Sequence, residues 1–430
     1  MLEAQRGIDA SDPGPDPGFE ALVLVGGQGS RLRSVVADRP KPLAPVDGEP
    51  FLVRVLDQLA AAGCARAILC TGHLGEMVER EFGAEHVGLP LVYSREREPA
   101  GTAGALRLAL PHCTAAHVLV VNGDSYVDVD VRAFVRRARA LGAPALVTTE
   151  VADTGRFGRV QADARGRVQT FTEKGVAGPG AIDAGMCWLP TAAIAALPAG
   201  RPASFATDLL PGLVARGLFA FATQAPFLDI GVPDAYAAAP AFFARCAASR
   251  ARPRAGLLVV DRDGTLIHER HYLADPEGVR LLPGVVDGLR AFAARGYEVA
   301  VVTNQSGIGR GYFDERALAA VHAELERQLV AHGIALRGIW HCPHAPDDGC
   351  ACRKPEPALL AAALRELGYA PAQCLVVGDK RCDVELGQRV GARTALVRTG
   401  YGAGTERDGQ CTPDVVVDDL AQLARCEGTR

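Results

Sequence analysis

Asp261 and Asp263 stand two residues apart in "VVDRDGTL", at the end of an apolar run and just before a Gly-Thr turn. Alternate side chains of an extended segment share a face, and the turn lets both carboxylates reach one place. Paired carboxylates can attack an electrophile, move a proton or hold a cation. A second cluster, "CPHAPDDGCACRKP", brings Cys342, His344, Cys350 and Cys352 into eleven residues, with Arg353 and Lys354 directly after. Such a cluster can be a disulfide knot, a redox switch, a metal cage or a coincidence. Nine of the twelve cysteines are scattered singly elsewhere, which does not suit a disulfide framework. Metal is therefore the expectation. A third feature, "GGQGSRLRSVVADRPKPL", places Gly26, Gly27 and Gly29 where the backbone can approach an anion closely, followed by Arg31 and by Lys41 between two prolines. It lacks both the P-loop ending and the dinucleotide-binding spacing.

These residues need sheets to position them. "ALVLVGG" and "GLLVVDRDGT" read as buried parallel strands that open two α/β domains. Further strands are expected at 67–70, 89–93, 117–121 and 145–149, then at 257–260, 298–303, 338–340, 374–377 and 394–397. "FGRVQADARGRVQTFTEK" reads as a hairpin. Two domains suit 430 residues. The expected division is a disordered Asp/Pro/Gly tail at 1–18, a first domain at 19–244, a linker at 245–255 and a second domain at 256–430. The chain is 48% apolar and 22% charged, with a net charge of −4. That composition fits globular cores and excludes a general nucleic-acid surface. No apolar run reaches membrane-spanning length, and the start lacks a secretory pattern, so a reducing cytoplasm is expected.

The first half resembles the sugar-1-phosphate nucleotidyltransferases over residues 19–240. The resemblance rests on Gly-Gly-x-Gly-x-Arg-Leu, Lys-Pro-Leu, "EPAGTAGAL", "VVNGDS", "FTEK", "IDAGMCWL" and "FLDIGVPDAY". It implies a Rossmann-like (GT-A-like) mixed sheet. Gly26, Gly27, Gly29, Gly101 and Thr102 would bind nucleotide, and Arg31 and Lys41 would act on the triphosphate. Glu173, Lys174, Asp183 and Gly185 would bind sugar phosphate, and Asp124 and Asp229 would hold Mg²⁺. Charge neutralisation should dominate such a meeting of two polyanions.

The second half resembles the haloacid dehalogenase phosphohydrolases, through Asp-x-Asp-Gly-Thr, Thr-Asn, Lys-Pro and Gly-Asp-x-x-x-Asp in that order over 256–400. This implies a HAD-like Rossmannoid parallel sheet with Asp261 as nucleophile and Asp263 as acid and base. Mg²⁺ would sit on Asp261, the Asp263 carbonyl and Asp379. Thr303, Asn304, Lys354 and Lys380 would hold the phosphoryl group. Asp383 would orient Lys380, touch the metal's water shell, or stand solvated at a helix start. The insertion after the nucleophile is too short for a full cap domain, so loops should cover the site.

Cys-x-His…Cys-x-Cys before Arg-Lys-Pro resembles the zinc-bearing branch, which includes heptose 1,7-bisphosphate and histidinol-phosphate phosphatases. Three thiolates and an imidazole suit a closed, structural Zn²⁺, with His341 the alternative to His344. Arg353 would reach a second phosphate or hydroxyls of the substrate.

The pairing implies two consecutive steps. Heptose 1,7-bisphosphate would lose its 7-phosphate, and the heptose 1-phosphate would take a guanylyl group from GTP, giving GDP-D-glycero-α-D-manno-heptose. The alternatives are another nucleotidyltransferase (mannose-1-phosphate guanylyl, cytidylyl or thymidylyl), a histidinol-phosphate-type phosphatase, or one non-catalytic half. The expected partners are small molecules, NTP and sugar phosphates. No motif bears on oligomeric state.

Overall fold

The computed structural model describes residues 18–26, 32, 35–36, 38–163, 165–172, 175–198, 200–250 and 254–427. The chain divides into two compact units, one spanning Gly18–Arg252 and the other beginning at Pro253. The tail expected at 1–18 lies, but for Gly18, outside the described residues.

The first unit is built on a mixed sheet. β1 (Phe19–Leu24) pairs in parallel with β2 (Cys64–Thr71) on one side and β4 (His117–Asn122) on the other, and β3 (Leu89–Arg95) extends the sheet beyond β2. Strand order reverses at β1, which opens a crevice at the carboxyl ends of β1 and β4. β5 (Ala145–Val151) and β6 (Gly180–Pro190) follow; β6 runs antiparallel to both β4 and β5. β7 (Phe219–Thr223) runs parallel to β5. The expected hairpin forms, Arg159–Ala162 against Val168–Thr172. The eleven-residue β6 was no part of the sequence expectation. Its register against β5 breaks between Asp183 and Cys187, and Gly185 within that break has φ +84°. A Cβ there would come within 2.6 Å of the Ser125 hydroxyl, so both the backbone angle and the space call for glycine.

The expected linker differs from what forms. Residues 245–250 finish the helix Ala239–Arg250. The cause is an apolar stripe: Phe242 and Phe243 pack edge-on against Tyr126, Phe243 meets Phe51, and Cys246 is buried. Residues 254 and 255 are already docked on the second unit, where the Ala255 N–H donates to the Gly296 carbonyl and Arg254 faces Glu298.

The second unit holds six parallel strands: β8 (Gly256–Val260), β9 (Tyr297–Asn304), β10 (Leu336–Cys342), β11 (Cys374–Gly378), β12 (Arg393–Val397) and β13 (Val415–Val417). Their order is β10-β9-β8-β11-β12-β13, so the direction of winding reverses between β8 and β11. Leu258 and Val260 face one core, with helices Val285–Ala294 and Glu315–Ala331; Leu257 and Val259 face another, with Ala358–Leu367. Burial on both faces explains why these strands read as unbroken apolar runs.

Candidate active sites and metal centre

Asp261 follows β8 and Asp379 follows β11, so the winding reversal places the two carboxyls side by side at the sheet's carboxyl edge. Thr303, near the end of the neighbouring β9, is buried beside them. Lys354 enters from the cysteine loop. Its ammonium lies 2.8 Å from Asp261 Oδ1, 2.6 Å from Asp383 Oδ1 and 2.8 Å from the Val302 carbonyl, which occupies all three N–H donors. Burial disfavours its charge, but Asp261 and Asp383 outweigh that and hold it protonated well above the ordinary lysine range. Burial likewise opposes ionisation of Asp261, yet Lys354 and then Lys380 pull its carboxyl below the usual value.

Asp379 is the counterpart. Burial pushes its pKa up to about 8; Lys380 opposes the shift, while Asp261 and Asp383 add to it. One of its oxygens accepts from the Tyr401 N–H at 2.8 Å, while Oδ1 is buried with no protein partner. Carboxylate oxygens of Asp261, Asp379 and Asp383 lie within 4.8 Å of one another. An orphaned buried oxygen facing a second carboxylate is a hard-cation donor set, and Mg²⁺ takes one or two carboxylates with water and phosphate completing its octahedron.

Asp383 is only 2% exposed, so it is no solvated acid. Its carboxylate accepts from Lys354 and from the Lys380 backbone N–H, and it does not meet the Lys380 side chain. That ammonium instead reaches Glu269 at 3.0 Å and lies 4.9 Å from the Tyr401 ring centre. Asn304 also differs from expectation. Its amide both donates to and accepts from the Lys354 backbone, at 3.2 and 3.0 Å, which places it behind the lysine. Arg262 and Gln305, which both bond Asp263, had no sequence signal beyond their places beside motif residues.

The cysteine cluster converges. The sulfurs of Cys342, Cys350 and Cys352 are 3.3–3.6 Å apart, and His344 Nδ1 lies 3.6 Å from Cys342 and 3.2 Å from Cys352. Disulfide sulfurs would be about 2.05 Å apart. A tetrahedral ion with bonds of about 2.3 Å would set them about 3.8 Å apart, near what is found. His341, the alternative ligand, is turned to Glu315 at 2.9 Å. The loop is tied down from both sides: the Gly309 N–H donates to the Pro343 carbonyl, and Arg353 donates to the His344 carbonyl rather than pointing outward alone.

In the first unit, a cavity of about 460 Å³ opens at the carboxyl edge of β1 and β4. Asp124 and Asp229 are 105 positions apart in sequence, yet a short ladder unites them: Ser125–Val127 pairs with Phe227–Asp229, setting Asp229 opposite Ser125. Lys41 Nζ lies 2.9 Å from Asp124 Oδ2, and Asp229 faces Arg156 at 3.7 Å. Asp183 and Gly185 line the same cavity. Burial pushes the Asp183 carboxyl up to about 6, with the Gly185 N–H opposing at 2.8 Å. Gly101 has φ +74°, and a Cβ there would strike the Ala203 carbonyl at 2.4 Å. Thr102 accepts from the Phe205 N–H, so this pair fixes the cavity wall at 203–205. Gly26 stands two residues beyond the end of β1 and is exposed. Gly27, Gly29, Arg31, Glu173 and Lys174 lie outside the described residues. Arg156 and Ser204 also line the cavity; neither sits in a motif that sequence reading could have flagged.

A family model described as nucleotidyl transferase matches residues 20–245, and one described as HAD-hydrolase-like matches residues 351–423. The D-glycero-alpha-D-manno-heptose 1-phosphate guanylyltransferase of Aneurinibacillus thermoaerophilus is 37% identical over 220 residues, covering 51% of this chain and 95% of that relative. The D-glycero-beta-D-manno-heptose-1,7-bisphosphate 7-phosphatase of Pseudomonas putida is 39% identical over 170 residues, covering 39% of this chain and 97% of that relative. Among solved structures, HddC from Yersinia pseudotuberculosis is 32% identical with a TM-score of 0.48, covering 52% of this chain and 99% of that one. Among the described residues, no helix is long and apolar enough to cross a membrane.

Proposed function

The chain belongs to the nucleotidyl transferase family, with a HAD-type phosphatase joined to it, and on that premise we propose that it carries out two consecutive steps of heptose-nucleotide synthesis. The phosphatase half removes the 7-phosphate of D-glycero-D-manno-heptose 1,7-bisphosphate. The transferase half joins the resulting heptose 1-phosphate to GTP, releasing pyrophosphate and GDP-D-glycero-α-D-manno-heptose. The observation that carries the reading is that each half covers its heptose relative almost end to end.

In the phosphatase half, Asp261 attacks phosphorus while Asp263 protonates the leaving sugar oxygen. Thr303 can donate its hydroxyl proton to a phosphoryl oxygen, because Gln305 already supplies a donor to its lone pair. Lys354 neutralises the group in transfer, and Arg353, next to it on the same loop, takes the substrate's second phosphate or its hydroxyls. In the transferase half, Lys41 stabilises the crowded α-phosphorus, Asp183 and Gly185 border the sugar, and the glycine-rich motif that begins at Gly26 binds the triphosphate. Mg²⁺ held by Asp261 and Asp379 in one half, and by Asp124 and Asp229 in the other, would supply charge neutralisation. Cys342, His344, Cys350 and Cys352 would hold a structural Zn²⁺. A thiolate cage of this kind suits a reducing cytoplasm.

The relatives' names part at C1, alpha for the transferase and beta for the phosphatase. The transferase makes its new bond on the C1 phosphate, so the anomer is part of its chemistry. The phosphatase reacts at C7, away from C1. The α-anomer is therefore the one we assign to the pair. Mass spectrometry of products from the α- and β-bisphosphates, each with ATP, CTP, GTP, UTP or dTTP, tests this. GDP-heptose should form from the α-bisphosphate and GTP. Equal use of all five nucleotides, or no phosphate release from either anomer, refutes it.

A further inference from the structure

Arg262, between the two catalytic aspartates, is 0% exposed and heads the largest fully buried side chains. A guanidinium carries only donors and keeps its charge, so every buried N–H needs an acceptor. Five contacts surround it. Nε and Nη2 reach Asp263 Oδ2 at 3.1 and 2.7 Å, and Nη2 also reaches Asp263 Oδ1 at 3.0 Å and Gln305 Oε1 at 3.0 Å. Nη1 faces His322 Nε2 at 3.2 Å, which must then be an acceptor, with the ring proton on Nδ1.

This arrangement fixes Gln305. Its carbonyl oxygen faces the guanidinium, so its amide nitrogen faces acceptors: Asp263 Oδ2 at 2.8 Å and Thr303 Oγ1 at 3.0 Å. The two oxygens of Asp263 thereby become unequal. Oδ2 accepts from three directions, while Oδ1 takes a single contact from a donor that Oδ2 shares. The carboxyl is also tethered, through Gln305, to the threonine that faces the phosphoryl group.

We propose that Arg262, acting with Gln305, is the positioning residue for proton transfer by Asp263, saturating Oδ2 so that Oδ1 carries and passes the proton. This rests on the phosphatase reading above. In the first step a bond forms from Asp261 to phosphorus, the bond from phosphorus to the C7 oxygen breaks, and the Oδ1 proton goes to that oxygen, which leaves as the alcohol. In the second, water attacks phosphorus and gives its proton to Oδ1, and the Asp261 bond to phosphorus breaks to release phosphate. Arg262 meets neither the phosphorus nor the leaving oxygen in either step and acts only through the Asp263 carboxyl.

The test separates positioning from mere support by changing the leaving group. A sugar oxygen departs only with a proton, whereas p-nitrophenolate departs without one. In the full chain with Mg²⁺, Arg262→Lys and Gln305→Leu should each lower kcat on heptose 1,7-bisphosphate by about 10²-fold. The pre-steady-state burst of p-nitrophenolate from p-nitrophenyl phosphate should change less than about fivefold. Asp263→Asn should show the same split more strongly. Circular dichroism melting identifies a variant that fails to fold; if Arg262→Lys does, Gln305→Leu decides. Equal loss on both substrates overturns the inference. A parent protein that releases phosphate from neither substrate overturns the phosphatase reading instead.

Discussion

The two halves hold their central lysines in opposite ways. Lys354 is 3% exposed and its partners Asp261 and Asp383 are 6% and 2% exposed, whereas Lys41 is 16% exposed and its partner Asp124 is 37% exposed. A closed pair is preorganised and strongly felt, but removing one member strands a buried charge. An open pair is screened by water and contributes little until a ligand covers it. The contrast matches the substrates proposed. A single phosphoryl group fits a sealed pocket, while a nucleotide and a sugar phosphate need a wide cavity that they complete themselves.

Four experiments sharpen or break that contrast. Asp261→Asn should have the largest effect, cutting phosphate release by about 10⁴-fold or more while pyrophosphate release stays within about twofold of the parent. Loss of both activities would show that the sites are not independent. Next, Lys354→Met should destabilise its half by about 3–5 kcal/mol by calorimetry, whereas Lys41→Met should cost about 1 kcal/mol or less. Similar costs for the two would break the comparison. Removal of zinc with a chelator followed by return of Mg²⁺, or Cys350→Ser, should lower phosphatase activity by about 100-fold and raise hydrogen exchange at 342–354, leaving guanylyl transfer intact. An unchanged exchange pattern would remove the metal from the account of Lys354.

The smallest effect concerns Asp183. Its folded pKa of about 6 lies above the ordinary 3.8, so between those values the folded state keeps a proton that the unfolded chain has lost. Stability therefore falls as pH rises from about 4 to about 6, and the deficit persists above. Asp183→Asn should melt higher than the parent at about pH 8, by about 2 kcal/mol, and equal it at about pH 4, while slowing transfer. A variant no more stable than the parent at the higher pH counts against burial as the cause.

What could be read from sequence was whatever is local. Asp261, Asp379 and Thr303 announce themselves because each ends or follows a buried apolar strand, and the cysteine spacing carries its own geometry. Asp124 and Asp229 were readable as motif residues, but the short ladder that joins them was not. β6 escaped because its role depends on two partners and a register break, neither of which leaves a periodic trace. The buried network of Arg262 was invisible for a plainer reason: an arginine between two aspartates reads as solvated until a histidine and a glutamine from distant elements are seen to enclose it. Asn304 and Lys380 belonged to the right motifs, yet their side chains turn toward Lys354 and toward Glu269.

The cysteine loop has one more consequence, for protein engineering. Between His344 and Cys350 the chain rises into an exposed tip, 346–349, closed on itself where the Ala345 N–H donates to Asp348. Both feet of the tip are anchored among the four converging ligands, so its length does not set where Lys354 points. Residues inserted there would hang from a fixed base, and extra loop length costs little entropy. A fluorescent probe or affinity handle at this tip would report loading of the cluster from a distance, without touching either chemistry.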